Sequence, residues 1–246
     1  TRREKTEFIL EQVALCIEKG DWTSAGILSR KISTRYFARK PKKSPEQLEK
    51  ERKEREEAEK NRGPDDPPIE PLDDVTDLKL RYYEQQILLA KNDDKYLDVC
   101  KHYRQVLDTE AVEEDSTKLK ADVDSITFTT PHLTDAQVLQ RVIYFVILAP
   151  HDNEQSDLLH RIHRDSRNAQ IPVEAQLLKL FTIPELNRWP VTSEKFGKQL
   201  CSTDIFDAQP GQDAKAHQRW QDLRKRVIEH NVRVVAKYYT RIQIPR

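Results

Sequence analysis

The stretch V-I-E-H-N-V-R-V-V-A-K-Y-Y-T-R-I-Q-I, residues 227–244, decides how this chain is interpreted. It predicts the end of a long helix, a pair of tyrosines at Tyr238 and Tyr239, and a short strand from Thr240 to Ile244. With residues upstream it forms an apolar stripe whose members lie three or four positions apart: Ala216, Trp220, Leu223, Val227, Asn231, Val234 and Tyr238. A stripe of this width indicates a helix that docks on another element.

The composition favours an all-α fold. Of 246 residues only 5 are glycine, and 34% are charged. So few glycines weigh against an all-β fold with tight turns and against a glycine-rich phosphate loop. The mean hydropathy of −0.82 is typical of extended helical arrays, which expose much surface per residue. The length suits one large or two small domains.

Charge is balanced over the whole chain but unevenly distributed. Lys plus Arg and Asp plus Glu both total 42, so net charge indicates neither a nucleic-acid nor a membrane partner. Residues 64–77 contain six acids and no base, whereas residues 214–246 contain nine bases and two acids. The final helix therefore keeps nucleic-acid binding open as an alternative, through a set of basic side chains: Arg219, Arg224, Lys225, Arg226, Arg233 and Lys237.

The cysteines and the apolar runs indicate the cellular compartment in which the chain is expected. Cys16, Cys100 and Cys201 lie far apart, which predicts free thiols in a reducing compartment. The longest apolar run, Val142 to Ala149, is too short to span a bilayer, which takes about 20 residues. The chain begins at Thr1, contains no methionine and shows no signal peptide, so we expect a piece of a longer polypeptide.

Two helical hairpins follow from the spacing of apolar residues. Residues 6–18 predict a helix that Gly20 ends, and Asp21 caps a second helix that carries Trp22 on its apolar side. Leu78 to Ala90 predicts another helix, followed by a turn at residues 92–94 and a second arm from Tyr96 to Leu107. Trp22 and Tyr96 occupy matching places after their turns, which indicates two-helix repeats.

The third hairpin contains the most apolar segment. Ala136 to Leu148 is rich enough in β-branched residues to form a strand, but its length favours a helix that ends at Pro150. Asp152 with Gln155 predicts a capping box that opens the next helix. Three shorter helices are predicted from Val173 to Leu180, from Thr182 to Trp189 with a second capping box at Glu185, and from Thr192 to Leu200. Pro210-Gly211 predicts a turn before the final helix.

Two inserts interrupt this pattern. Ser44 to Lys60 is almost wholly charged, with Glu–Lys and Glu–Arg pairs four residues apart, and predicts a solvated helix. Gly63 to Pro71 is typical of a linker, and Thr117 to Pro131 predicts a loop. The predicted domains are a hairpin at 1–37, the insert at 38–74, further helical repeats at 75–210 with a loop at 117–131, and the final helix and strand at 211–246.

Catalytic and metal motifs are absent from the sequence. It contains no G-x-S-x-G, G-x-x-x-x-G-K-[ST], H-E-x-x-H or paired C-x-x-C. His160 and His163 follow Asp157 at helical spacing, and we interpret them as a polar helix face rather than a metal site. We predict no catalytic, cofactor-binding or metal-binding residue. The candidates for packing or interaction are aromatic residues and one cation: Trp22, Trp189, Trp220, Tyr238, Tyr239 and Arg241. The tryptophans are expected chiefly in the core, and the tyrosines against the following strand.

Residues 147–158, 177–189 and 226–242, with Cys100 to Arg104, resemble the PCI-domain subunits of the 26S proteasome regulatory lid. The resemblance implies a right-handed superhelix of helical hairpins, similar to tetratricopeptide repeats, that leads into a PCI domain. On this basis the chain would end at the start of the winged helix of that domain. The inserts at 38–74 and 117–131 depart from the family pattern.

The same resemblance implies a function. We expect a non-catalytic scaffold subunit of the lid, in the cytoplasm and the nucleus, that supports ubiquitin-dependent protein degradation. Its implied partners are other lid subunits, the ATPase ring and the core particle, with no cofactor, small-molecule substrate or membrane. The alternatives are a scaffold subunit of the signalosome or of initiation factor three, or a winged-helix protein that binds nucleic acid.

Overall fold

A computed structural model describes residues 1–37, 75–109, 133–206 and 215–241. Within these ranges the chain forms nine α-helices and no strand, which confirms the all-α prediction. The helix predicted at 44–60, the linker at 63–71, the loop at 117–131, the turn at 210–211 and most of the strand at 240–244 lie outside the described residues. The handedness of a superhelix and the predicted domain boundaries stay predictions.

The helices follow one another with short connections wherever consecutive residues are described. They are α1 (Arg2–Glu18), α2 (Trp22–Ser29), α3 (Thr76–Asn92), α4 (Tyr96–Leu107), α5 (Asp135–Leu148), α6 (Asn153–His163), α7 (Pro172–Thr182), α8 (Trp189–Cys201) and α9 (Ala216–Tyr238). Short 3₁₀ helices lie at Thr34–Tyr36 and Ser166–Gln170. The chain divides into two compact units, unit 1 at Thr1–Leu89 and unit 2 at Ala90–Arg246.

Unit 1 is built on the packing of α1 against α2, as the first predicted hairpin requires. Gly20 adopts a positive φ of 74° after α1, and Asp21 accepts a hydrogen bond from the Ser24 amide at 3.0 Å, which caps α2. Part of α3 completes the core, where Gln85 Nε2 donates to the Leu10 carbonyl at 2.9 Å. The buried apolar residues of this core are Ile9, Leu10, Val13, Ala25, Ile32, Phe37, Leu78 and Tyr82.

Unit 2 is organised around α5, the segment for which the sequence allowed a helix or a strand. It is a helix, and it packs against α4, α6, α7 and α9. Ten buried positions explain this central place, because Val138 and Leu139 are buried and so is every residue from Arg141 to Leu148. A helix that is apolar on all sides is stable only when other helices surround it. On one side, Tyr103 of α4 stacks on Phe145 with ring centroids 5.9 Å apart.

A buried carboxylate links three helices of unit 2. Glu174 of α7 accepts hydrogen bonds from Gln140 Nε2 at 2.6 Å, the Tyr144 hydroxyl at 3.1 Å and Gln199 Nε2 at 3.2 Å. Burial, together with the charge and the hydrogen bond of Glu174, raises the pKa of Tyr144, so its hydroxyl stays a donor. The network gives α5, α7 and α8 a polar connection inside an apolar interior.

Two local predictions are wrong. The helix predicted from Thr182 to Trp189 does not form: Thr182 ends α7, and residues 183–188 are not helical because Pro184 interrupts helical hydrogen bonding. Asp152 does cap α6, accepting from the Gln155 amide at 2.6 Å, but the Gln155 side chain donates to the Val146 carbonyl instead of returning to the cap. A reciprocal capping box is found instead at the start of α5, between Thr134 and Gln137.

Candidate functional site

Helix α9 and the residues that follow it contain most of the candidates that the sequence singled out. The buried face of α9 largely follows the predicted stripe. Four members of the stripe are buried as expected: Ala216, Leu223, Val227 and Val234. Trp220 and Asn231 are half-buried, and Tyr238 is exposed. Two polar residues on the same face of α9, Arg219 and His230, were not part of the predicted stripe, and both are buried.

Two of the six cations that the sequence placed on a basic helix form contacts within the chain. The side chain of Arg219 is only 2% exposed, donates to the Ile205 carbonyl at 3.3 Å and lies over the Phe145 ring. Arg226 pairs with Glu229 at 2.6 Å. The basic surface of α9 is therefore smaller than the sequence suggested, which weakens the nucleic-acid alternative.

The beginning of α9 is fixed by polar contacts to the turn before α4. Lys215 Nζ donates to the Asn92 carbonyl at 2.7 Å and pairs with Asp94 at 2.9 Å. Two turns later, the Tyr96 hydroxyl donates to Asp222 at 2.7 Å. Burial raises the pKa of Tyr96, and the hydrogen bond and charge of Asp222 raise it further. The first turns of α9 are thus tied to α4 at several points.

The tryptophans of unit 2 pack with each other. The rings of Trp189 and Trp220 meet edge to face with centroids 5.4 Å apart, and Phe206 approaches Trp220 at 6.2 Å. Trp220 also covers Gly197 of α8, where an added Cβ would lie 3.6 Å from the Trp220 ring. Both tryptophans are half-buried, and so is Trp22 in unit 1. We interpret Trp189 and Trp220 as a packing contact between α8 and α9.

The non-helical linker at 183–188 is held by side chains of α9. Asn231 accepts from the Asn187 amide at 2.8 Å and donates to the Asn187 carbonyl at 2.7 Å. His230 Nε2 lies 3.0 Å from the Glu185 carbonyl, and its ring meets Phe181 edge to face. Burial lowers the pKa of His230, because the hydrogen bond to Glu185 offsets the loss of hydration only in part. The neutral ring therefore serves as the donor.

The outer face of α9 carries three apolar side chains that are more than half exposed within the described chain. Ile228, Val232 and Tyr239 are 52%, 62% and 64% exposed and lie four and seven residues apart. We call these three residues, with the half-buried Val235 between them, the outer stripe of α9. A second apolar stripe opposite a buried one indicates a surface that binds another protein element.

Tyr238 and Arg241 complete the predicted candidates. Tyr238 is 63% exposed, with Lys237 Nζ 5.9 Å from the centroid of its ring, and Arg241 is exposed. The strand that the two tyrosines were expected to pack against lies mostly outside the described residues. Within the described part of the chain, both tyrosines face solvent, so their packing role stays a prediction.

The metal and thiol candidates show ordinary surroundings. His160 and His163 are exposed, Asp157 pairs with Arg161 at 2.5 Å, and no cluster of potential metal ligands occurs among the described residues. Cys16, Cys100 and Cys201 are free thiols. Burial raises the pKa of the Cys100 thiol to about 12. Within the described ranges, no helix combines the length and the hydropathy that crossing a bilayer requires.

Sequence reasoning missed several buried polar residues, among them Glu174, Arg219 and His230. His230 and Arg219 occupy stripe positions three or four residues from apolar members, which was a usable signal of burial. Glu174 lies in the first turn of α7 after Pro172, where an acid is common for local reasons. Nothing in its own segment distinguishes it from a surface acid.

Comparison with known proteins agrees with this architecture. Residues 1–49 and 70–115 match the family described as PSMD12/CSN4, N-terminal, and residues 204–246 match the PCI domain. The first match includes α1 to α4, and the second includes α9.

Individual relatives match along almost the whole chain. It is 40% identical to the 26S proteasome regulatory subunit rpn501 of Schizosaccharomyces pombe over 99% of this chain and 43% of that protein. It is 33% identical to the 26S proteasome regulatory subunit RPN5 of Saccharomyces cerevisiae over 99% of this chain and 43% of that protein. It is 32% identical to the 26S proteasome non-ATPase regulatory subunit 12 homolog A of Arabidopsis thaliana over 100% of this chain and 49% of that protein.

The chain thus spans somewhat less than half the length of these relatives. The resemblance to PCI-domain subunits is confirmed by both domain matches and by the relatives. The chain therefore belongs to the family of PCI-domain proteins whose N-terminal part is the PSMD12/CSN4 domain.

Proposed function

We propose that this chain is part of a non-catalytic scaffold subunit of the 26S proteasome regulatory lid. The observation that carries the proposal is the similarity to 26S proteasome regulatory subunits over at least 99% of the chain. Such a subunit holds neighbouring subunits in place and thereby supports ubiquitin-dependent protein degradation, without itself transforming a substrate. The proposal concerns the whole protein, of which the described helices form one part.

The outer stripe of α9 supports a role in protein binding. An isolated exposed apolar residue is common on any surface, but a stripe along one helix is typical of a contact site. Ile228, Val232 and Tyr239 lie within the part that matches the PCI domain. We propose that another subunit of the regulatory particle covers this stripe, and that further contacts reach the ATPase ring and the core particle. The expected compartments are the cytoplasm and the nucleus, which imaging of the fluorescently tagged full-length protein tests.

Affinity purification tests the assembly. The full-length protein, tagged in its own cells, is purified with ATP present, and the recovered proteins are identified by mass spectrometry. We expect the other 26S proteasome subunits in comparable amounts, together with peptidase activity of the core particle. Recovery of signalosome or initiation factor three subunits in their place would support those alternatives and contradict the proposal.

A paired substitution tests the outer stripe in the same experiment. Ile228→Asp with Val232→Asp places two charges on the stripe, and we expect recovery of proteasome subunits to fall about tenfold, since desolvating unpaired charges in an interface costs several kcal/mol. The matched control is Gln221→Asp with Lys225→Asp, at exposed positions on the earlier turns of α9. Equal recovery with both double variants would show that the outer stripe is not the contact.

A further inference from the structure

A groove in unit 2 has no role in the scaffold function proposed above. It lies between the end of α5, the first turns of α6, the end of α7 with the following linker, and the second half of α9, and its volume is about 180 Å³. We call it the basic groove and define it by Ile147, His151, His160, Phe181, Arg233 and Lys237. The outer stripe of α9 faces away from it, because the two sets of residues differ by about half a turn of the helix.

The residues with a fixed charge that line the basic groove are all basic. None of the described residues that line it is acidic, whereas three carry a fixed positive charge and three are histidines. The fixed charges, Arg226, Arg233 and Lys237, lie on one face of α9 at intervals of seven and four residues. His151 and His160 stand on the opposite wall, formed by α6 and the residues before it.

Two of these cations are not matched by an ion pair within the described chain. Arg226 pairs with Glu229 at 2.6 Å, yet its buried Nε has no hydrogen-bond partner there. Arg233 and Lys237 form no ion pair with a described residue. Burial lowers the pKa of Arg233, with Glu229 offsetting this effect and Arg226 adding to it. Because Glu229 is already paired with Arg226, a ligand that brings a negative charge would further stabilise the half-buried Arg233.

The floor of the basic groove is apolar. Ile147, Leu159 and Val234 are buried beneath it, and Phe181 forms one side, where its ring is already engaged edge to face with His230. The volume accommodates a side chain but not a folded element. An apolar floor beneath a charged rim fits a ligand that carries both an apolar group and anionic groups.

The spacing of the cations fits an extended chain. Arg226 and Lys237 lie eleven positions apart, which corresponds to about 16 Å along a helix that rises about 1.5 Å per residue. An extended peptide covers the same distance with about five residues. Single-stranded nucleic acid is bound mainly by stacking bases on open aromatic faces, and Phe181 is occupied by His230.

We propose that the basic groove binds an extended acidic peptide segment of a partner protein. One apolar side chain of the segment enters the floor, and flanking carboxylates pair with Arg233 and Lys237. The inference concerns a binding site on this chain alone, so it stands or falls independently of assembly into the proteasome.

The test measures binding of short labelled peptides to the purified 246-residue chain by fluorescence anisotropy. The probe is Glu-Leu-Glu-Glu-Leu-Glu, compared with a peptide in which Gln replaces every Glu and one in which Ala replaces every Leu. We expect saturable binding of the first peptide and at least tenfold weaker binding of each altered peptide, since each loses either its ion pairs or its apolar contact.

Matched protein variants locate the site. Arg233→Gln with Lys237→Gln removes two charges from the basic groove, and Arg224→Gln with Lys225→Gln removes two charges from exposed positions of the same helix outside it. We expect the first double variant to bind the peptide about tenfold more weakly, because it loses two ion pairs at the rim of the groove. The second double variant should bind less than twofold more weakly. Circular dichroism and urea midpoints establish that both variants fold as the original chain does.

Three outcomes would overturn the proposal. Equal weakening by both double variants would indicate general attraction between opposite charges. Equal binding of the Ala-substituted peptide would show that the floor takes no side chain. Tighter binding of a single-stranded RNA of equal charge, lost with the Arg233 and Lys237 variant, would assign the basic groove to nucleic acid instead.

Discussion

The two halves of α9 contrast in how their surfaces are used. The first half, residues 216–227, is fixed by Lys215, by the bond from Tyr96 to Asp222, and by the packing of Trp220. The second half, residues 228–239, is held on its inner face by Asn231 and His230, but leaves an apolar stripe and a basic groove open. One continuous helix thus serves as a core element at one end and as a binding surface at the other.

This difference shows what helical periodicity measures. A period of 3.6 residues identifies apolar faces, yet it does not tell which of two faces other elements cover. In α9 the inner face is covered by the rest of unit 2, whereas the outer stripe is exposed within the described chain. The following substitutions test how sharply the two halves and the two faces differ.

The largest effect is expected from truncating the inner face. Leu223→Ala removes a buried side chain and leaves a cavity, so we expect the free energy of unfolding to fall by about 2–5 kcal/mol. Val232→Ala on the outer stripe should change it by less than about 0.5 kcal/mol, because that side chain is already hydrated. Urea unfolding of both variants makes the comparison, and similar losses would contradict the assignment of the two faces.

A smaller effect is expected where α9 holds the linker. Asn231→Ala leaves the amide and the carbonyl of Asn187 without their partners, at a cost of about 1–3 kcal/mol in the free energy of unfolding. Gln221→Ala, at an exposed position of the same helix, is the control and should be close to neutral. A neutral Asn231→Ala, measured by the same urea titration, would mean that the linker is not fixed by α9.

The attachment of the first half is tested through one hydroxyl group. Tyr96→Phe removes the hydrogen bond to Asp222 and should lower the free energy of unfolding by about 1–2 kcal/mol, because the acceptor is charged. Tyr239→Phe makes the same chemical change at an exposed ring and should have little effect. Thermal unfolding followed by circular dichroism at 222 nm compares the two variants, and equal midpoints would argue against the Tyr96 anchor.

The smallest effect concerns pH. Burial holds the pKa of His230 below its ordinary value of about 6.5, and Arg233 and His151 nearby act in the same direction. Between the lower pKa of the folded chain and the ordinary pKa of the unfolded chain, the unfolded chain binds more protons. The free energy of unfolding is therefore at its full value above pH 6.5 and declines as the pH falls through the folded-state pKa. Urea unfolding between pH 5 and 8 should show this decline.

His230→Gln keeps a donor for the Glu185 carbonyl but does not titrate. We expect a flatter dependence of unfolding free energy on pH below 6.5 than in the original chain. An unchanged slope would show that His230 is not the group responsible.

The sequence by itself determined where most helices lie. Gly20 and Asp21, Pro150 and Asp152 are start and stop signals that act through neighbouring backbone groups, and each lies where a helix ends or begins. The uninterrupted apolar run in α5 likewise required a central position. Family membership also followed from sequence, because the strings at 147–158, 177–189 and 226–242 are more specific than helical periodicity.

The tertiary structure alone decided which polar residues are buried and which segments give up helical structure. Residues 183–188 are not helical because Pro184 breaks the helix and side chains of α9 bind the freed backbone. These hydrogen bonds join residues 44 positions apart, which local spacing does not reveal. Glu174, Arg219 and His230 lie in the interior because donors, carbonyls and rings from distant segments replace their hydration. The stripe positions of Arg219 and His230 indicate burial but not the partners that make it possible. A carboxylate such as Glu174 has the same local pattern whether water or protein surrounds it, so only packing distinguishes the two.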